Sequence, residues 1–326
     1  MHETNLCLTI SDKLLFEGTD MDPKLIKSIE GKKRELDSNR PLNTSIVKKL
    51  NEQFAVEWIY NSNAIEGNTL SLNETEIVLN SGVTIGGKTV NEHLEVINHQ
   101  EGIQYLELLI SKRTDFTEDS IKELHRLILK GIDDLEAGIY RRHNVRIVGA
   151  RIIPPQAIKV KSLMSELMSW YYENMLSLPI SVLAAQFHYK FVCIHPFIDG
   201  NGRVARLLMN LILMKNGFPP TVILKVDRKK YYRVLNEANI GNEESFENFI
   251  GRSIERSLII YLNSIKPNTT EKQGFINLRD ASKYCNYSQE YLSLLARKGK
   301  LSAVKINKEW VTTREAIEDY VKELKE

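Results

Sequence analysis

HPFIDGNGRVAR, residues His195 to Arg206, brings an imidazole, a carboxylate, two glycines, an amide and two guanidinium groups into one turn that leads into a helix. Gly200, Asn201 and Gly202 permit the positive φ angles that turn successive backbone N–H groups inward. The helix opening near Gly202 adds the positive end of its dipole. The stretch is an anion cradle, and a polyphosphate is its natural guest. Arg203 and Arg206, three apart on that helix, can both clamp phosphate oxygens through paired donors. Asp199 offers the hard oxygen that suits a magnesium ion shared with the phosphates. His195, just ahead of the cradle, can accept the proton of a hydroxyl that attacks phosphorus.

Outward from this turn, apolar residues recur at helical spacing through most of the first 265 residues, so the main domain is expected to be mostly α. The spacing predicts helices at about 43–65, 91–111, 118–131, 159–177, 180–193, 202–216, 228–239 and 244–265. Gly67 is placed to end the first, and Ser71 with Glu74 forms a capping-box pattern that opens another. Strand-like alternation is confined to 145–154 and 220–226. RRHNVRIVGARIIPP, 141–155, alternates around Val145, Ile147 and a turn at Gly149, and reads as a β-hairpin. Tyr232 and Asn239 are two helical turns apart and share a face, which suits either packing or an adenine. The polar stretch at 266–274 marks a boundary. The expected organisation is an N-terminal segment at 1–40, a main domain at 41–265, a linker at 266–274 and a helix-turn-helix module with a small wing at 275–326.

The signature at 195–206 resembles that of the Fic family: HPF, any residue, Asp or Glu, GNGR, two residues, Arg. It is matched without a departure, and the resemblance extends over most of residues 40–260. It implies a mainly α, Fic-type helical bundle with a β-hairpin flap and a small C-terminal winged-helix-like domain. The implied activity is a protein adenylyltransferase that moves AMP from ATP, with Mg2+, to a Ser, Thr or Tyr hydroxyl. His195 would be the base, Phe197 a buried anchor and Asp199 the magnesium ligand. Gly200, Asn201, Gly202, Arg203 and Arg206 would bind phosphate. Val148, Gly149, Ala150 and Arg151 would lie in the flap against the nucleotide, and Tyr231, Tyr232 and Asn239 would meet the adenine. SNAIEGN, 62–68, resembles the family's inhibitory motif when it precedes the signature. Glu66, with Ser62, would reach Arg206 and occupy the guanidinium that the γ-phosphate needs. The same glutamate could instead position a water for removing AMP.

Other donors known in the family, namely UMP, phosphate or phosphocholine, and a DNA-binding regulator with a nucleotide-sensing Fic domain are the alternatives. The resemblance also implies self-modification at exposed tyrosines or threonines and a homodimer. The module's basic residues Arg297, Lys298, Lys300, Lys305 and Lys308 suit DNA phosphates, while Glu315, Glu318, Asp319 and Glu323 favour a protein-docking role. A net charge of +2, with 26% of residues charged, gives no field for wholesale nucleic-acid or membrane binding. Cys7, Cys193 and Cys285 lack the spacing of a zinc site or a disulfide framework, which fits a cytoplasmic protein. His188 is read as a packed core residue. His93, His99, His125 and His143 carry no assigned chemistry, and Trp58, Trp170 and Trp310 are read as packing.

Overall fold

The computed structural model describes residues 18–42, 44–112, 115–147, 149–150, 152–265, 275–297, 300–306 and 309–323. Residues 266–274, Cys7, Val148, Arg151, Lys298 and Lys308 lie outside them.

The main domain is built from α1 (Pro23–Ser38), α2 (Thr44–Glu66), α3 (Leu72–Ser81), α4 (Val90–Ser111), α5 (Glu118–Leu129), α6 (Val160–Asn174), α7 (Ile180–Ile194), α8 (Asn201–Lys215), α9 (Arg228–Ala238) and α10 (Glu243–Ile265). At its centre α7 and α8 pack against each other. In α7 every residue from Ser181 to Ile194 except Val192 is buried, as a helix sheathed on all sides requires. Helix starts follow their caps. Ser71 with Glu74 and Thr89 with Glu92 form complete capping boxes on α3 and α4. α2 ends at Glu66 because Gly67 takes φ +111. α1 was not singled out by the sequence pattern, yet its Ile29 and Leu36 lie in the same core as α7 and α8. Glu247 of α10 holds the entry to α1, accepting from the backbone N–H of Met21 at 2.8 Å and of Asp20 at 3.0 Å.

Neither stretch of strand-like alternation in the main domain becomes a strand among the described residues. At 221–224 the chain is buried but forms no strand before the 3-10 turn at Lys225–Asp227, and side chains take the place of a partner strand. Asn210 donates to Thr221 O and accepts from Thr221 N, Arg256 donates to Val222 O, and Asn61 accepts from Lys225 N. At 144–155 the chain turns at Gly149 (φ +79), with Ala150 N–H donating to Ile147 O at 3.2 Å. Pro154 and Pro155 have no N–H to give a ladder, and an unsupported two-stranded ribbon is marginal in water.

The strands belong to the C-terminal module. β1 (Ile276–Asn277), α11 (Leu278–Ala281), α12 (Gln289–Arg297), β2 (Ala303–Ile306), β3 (Glu309–Thr312) and α13 (Arg314–Glu323) surround a small core of Leu278, Leu292, Leu295, Leu301 and Ile317. The sheet order is β1-β3-β2, antiparallel throughout, with Val304 opposite Val311. The module rests on the main domain through Phe275 and Val311, which join the larger core. Lys230–Asp319 and Arg252–Glu315 ion pairs lie beside that contact.

Candidate functional site

The signature turn joins α7 to α8. His195 caps α7 in the left-handed region, φ 50, with its N–H donating to Phe191 O at 3.0 Å. It is the only non-glycine residue with positive φ among those described, a conformation that costs energy and recurs at functional positions. Burial pulls its imidazole down to about 4, opposed by the Val192 carbonyl and reinforced by the Arg141 cation. The ring is therefore neutral at neutral pH and able to accept a proton.

Phe197 is fully buried. Asn201 grips its peptide at both ends, donating to Phe197 O at 2.9 Å and accepting from Phe197 N at 3.0 Å. Gly200 then turns with φ +75, and α8 opens at Asn201. Asp199 Oδ1 accepts from Gly200 N–H at 2.6 Å and Oδ2 from Arg203 at 3.2 Å, yet the carboxylate is 72% exposed. Arg203 is also paired with Glu95 at 3.1 Å, and Asn68 holds the other oxygen of Glu95 at 2.8 Å.

Arg206 is buried and faces the end of α2. Its Nε donates to Ser62 Oγ at 2.9 Å, and its Nη2 to Ser62 O at 2.8 Å and to Glu66 Oε1 at 2.7 Å. Burial works against the charge, but the Glu66 carboxylate together with Tyr231 and Tyr232 offsets it and leaves the guanidinium above its ordinary value. A Cβ on Gly202 would overlap Glu66 Oε1, so the carboxylate sits on the first turn of α8, where an anion would bind. Two buried N–H positions, Arg206 Nη1 and Arg203 Nε, have no acceptor. Such orphaned donors fit phosphate oxygens.

Downstream residues divide. Tyr232 OH reaches Glu66 Oε2 at 3.4 Å, under the guanidinium of Arg228, whose Nε donates to Ile65 O at 2.6 Å. Tyr231, expected at the adenine, is instead 2% exposed and bonded to His188 Nε2 at 2.8 Å. It lies on the apolar stripe of α9 with Val234, Leu235 and Ala238, which faces the core. Asn239 ends α9, and its Oδ1 accepts from Tyr189 OH at 3.3 Å. Gly149 O accepts from Asn236 at 3.0 Å, so the 144–155 loop is tied to α9 beside Ala150.

Three side chains that the sequence pattern did not single out shape the turn. Arg141 is buried without a carboxylate and donates to the carbonyls of His195, His143 and Pro155. Glu95 holds Arg203. His125 lies flat on Phe197, centroids 3.6 Å apart and planes within 3°. It occupies the apolar stripe of α5 with Ile121, Leu124 and Ile128, and a polar residue inside such a stripe signals a bonded partner. A cleft of about 390 Å3 lies elsewhere, between α10 and the C-terminal module. No group of three or more His, Cys, Asp or Glu able to hold a metal occurs among the described residues, so a magnesium ion fits here only as Asp199 plus phosphate oxygens.

Residues 115–213 match the model of the Fic/DOC family. A solved Fic-1 fragment from C. elegans is 34% identical and superposes with a TM-score of 0.70, over 76% of this chain and 73% of that one. The chain belongs to the Fic/DOC family. The protein adenylyltransferase Fic of Nematostella vectensis is 39% identical over 247 residues, 75% of this chain and 57% of that protein. The chain thus spans about half the length of the curated Fic relatives it matches. A Fic family protein from Desulfovibrio desulfuricans G20, 21% identical, shares the fold with a TM-score of 0.62 over 94% of this chain.

Proposed function

We propose that this Fic protein is an adenylyltransferase that moves AMP from ATP to a Ser, Thr or Tyr hydroxyl of a protein, itself included, and that Glu66 holds it off. The observation that carries the reading is the Glu66 carboxylate lodged between Arg206 and Gly202, where a terminal phosphate would be clamped. Relatives named for this activity support it.

In the released state, Gly200 to Arg203 and Arg206 bind the phosphates, and Tyr232 and Asn239 border the base. Asp199 would hold a magnesium ion, which when bound shields the phosphate charge. His195 takes the proton of the attacking hydroxyl as its oxygen bonds to the α-phosphorus and pyrophosphate leaves. Ser62 fixes Arg206 for either occupant. Gly149 and Ala150, tied to α9 through Asn236, stand where the flap would press on an incoming peptide. Three scattered cysteines without a disulfide spacing support a cytoplasmic setting.

Wild type, Glu66→Gly and Glu66→Gly with His195→Ala are incubated with magnesium and ATP labelled at the α-phosphate, and their intact masses compared. A gain equal to AMP is expected in Glu66→Gly alone, with little in wild type. No gain in Glu66→Gly while ATP still binds would transfer the reading to another donor.

A further inference from the structure

The peptide between Asp199 and Gly200 is the weak point of the cradle. Gly200 supplies the φ of +75 that starts α8, and glycine can reverse that torsion at little cost. A flip of this peptide would redirect the Gly200 N–H and swing the Asp199 carboxylate away. Asp199 Oδ1 holds the N–H side at 2.6 Å. The carbonyl side is held by His125 Nε2, 3.0 Å from Asp199 O.

The geometry fixes the donor. Gly138 N–H donates to His125 Nδ1 at 2.8 Å, so that nitrogen carries the lone pair and the proton is on Nε2. The ring is clamped on one face by Phe197. Its edge lies 3.3 Å from the position a Gly200 Cβ would occupy, so ring and turn are in van der Waals register. His125 thus contacts two signature residues, Asp199 and Phe197, and lies over a third, Gly200, from a helix about seventy residues earlier in the chain.

We propose that His125 is a positioning residue for the phosphate-binding turn: its neutral ring locks the Asp199–Gly200 peptide, so that the glycine which lets the turn form cannot let it flip. Through Gly138 the same ring ties the turn to the segment that continues into Arg141 and the flap. The consequence for AMP transfer rests on the activity proposed above, but the anchoring itself does not.

The test uses three full-length variants. His125→Asn keeps an acceptor for Gly138 and loses the donor to Asp199. His125→Gln keeps a donor at the Nε2 position, and His125→Phe keeps only the stacking. Asp199–Gly200 is the only Asp-Gly pair in the sequence, so a chain labelled with 13C at Asp carbonyls and 15N at glycine gives one HNCO peak. Without nucleotide or metal, that peak should stay single and unmoved in His125→Gln, and shift or split in His125→Asn and His125→Phe.

In the Glu66→Gly background with EDTA present, the Kd for ATP should rise about 10-fold in His125→Asn, the weight of one buried hydrogen bond, and recover in His125→Gln. If His125→Phe does not fold, His125→Asn decides, with a thermal melt as control. An unmoved peak and an unchanged Kd in a folded His125→Asn would reduce His125 to packing and overturn the proposal. If Glu66→Gly transfers no AMP, the peak still decides, so the two readings fail separately.

Discussion

Gly202 matters for what it leaves out. Its φ is not positive, so no backbone demand selects glycine there; the space above it does, because a Cβ would overlap Glu66 Oε1 and stand 3.2 Å from Arg206 Nη1. On the proposed reading, the Glu66 carboxylate and a phosphate would compete for one bare patch of helix. Gly202→Ala, made in the Glu66→Gly background, is expected to weaken ATP binding by at least about 10-fold. Isothermal titration checks this, and the melting temperature should not fall, since alanine is the better helix former. Unchanged affinity would mean that phosphate does not approach this face of α8. The two arginines of the signature have distinct surroundings: Glu66 and Ser62 face Arg206, whereas Glu95 and Asp199 face Arg203. A three-residue spacing told that both could reach phosphate, but not which carboxylate each would meet.

Two elements hold Glu66 in place. α2 delivers Glu66 from its last turn, and α9 lies across that end. Arg228 of α9 donates to Ile65 O and covers Tyr232, which touches the second oxygen of Glu66. Arg228→Ala is expected to raise AMP incorporation several-fold in an otherwise wild-type chain, and to change nothing once Glu66 is Gly. A rise in both backgrounds would show that Arg228 acts on the substrate instead. The helices were legible because their apolar stripes, capping boxes and glycine stops are local signals: α2 was expected at 43–65 and spans Thr44–Glu66. The expected strands were not legible, because alternation records only that one side of an extended chain is buried. It does not say whether another strand or side chains such as Asn210 and Asn61 will meet the backbone. Tyr231 lies in the core for a related reason: two adjacent tyrosines point about 100° apart on a helix, and the core claims one of them.

At the scale of the molecule, the buried histidines link stability to pH. His99 has both ring nitrogens without partners, and burial, with Arg206 and Arg203 nearby, holds it well below its ordinary value. Burial, again with Arg206, pulls His188 down to about 3. The unfolded chain binds a proton at each of these positions below about pH 6.5, whereas the folded chain does not until far lower. The share of stability these two histidines control should therefore be level above about pH 6.5 and fall as the pH drops below it, by about 1.4 kcal/mol per pH unit for each histidine. His99→Leu should flatten that slope by one proton's share, as read by urea unfolding at pH 7.5, 6.0 and 5.0. An identical slope in the variant would mean that His99 takes up its proton in the folded state as well.

The sequence by itself determined the helical class, and it gathered the residues of the proposed cradle, because twelve consecutive positions carry both the turn and the groups proposed to react. It also pointed to Glu66 by resemblance, across 140 residues. Only the tertiary structure decided what surrounds that cradle: the Glu66 carboxylate seated over Gly202, Tyr231 turned into the core, and Arg141, Glu95 and His125 brought against the turn from three separate segments. Such contacts depend on how helices pack rather than on any local pattern, and a lone histidine in an apolar stripe shows that it has a partner without showing which one.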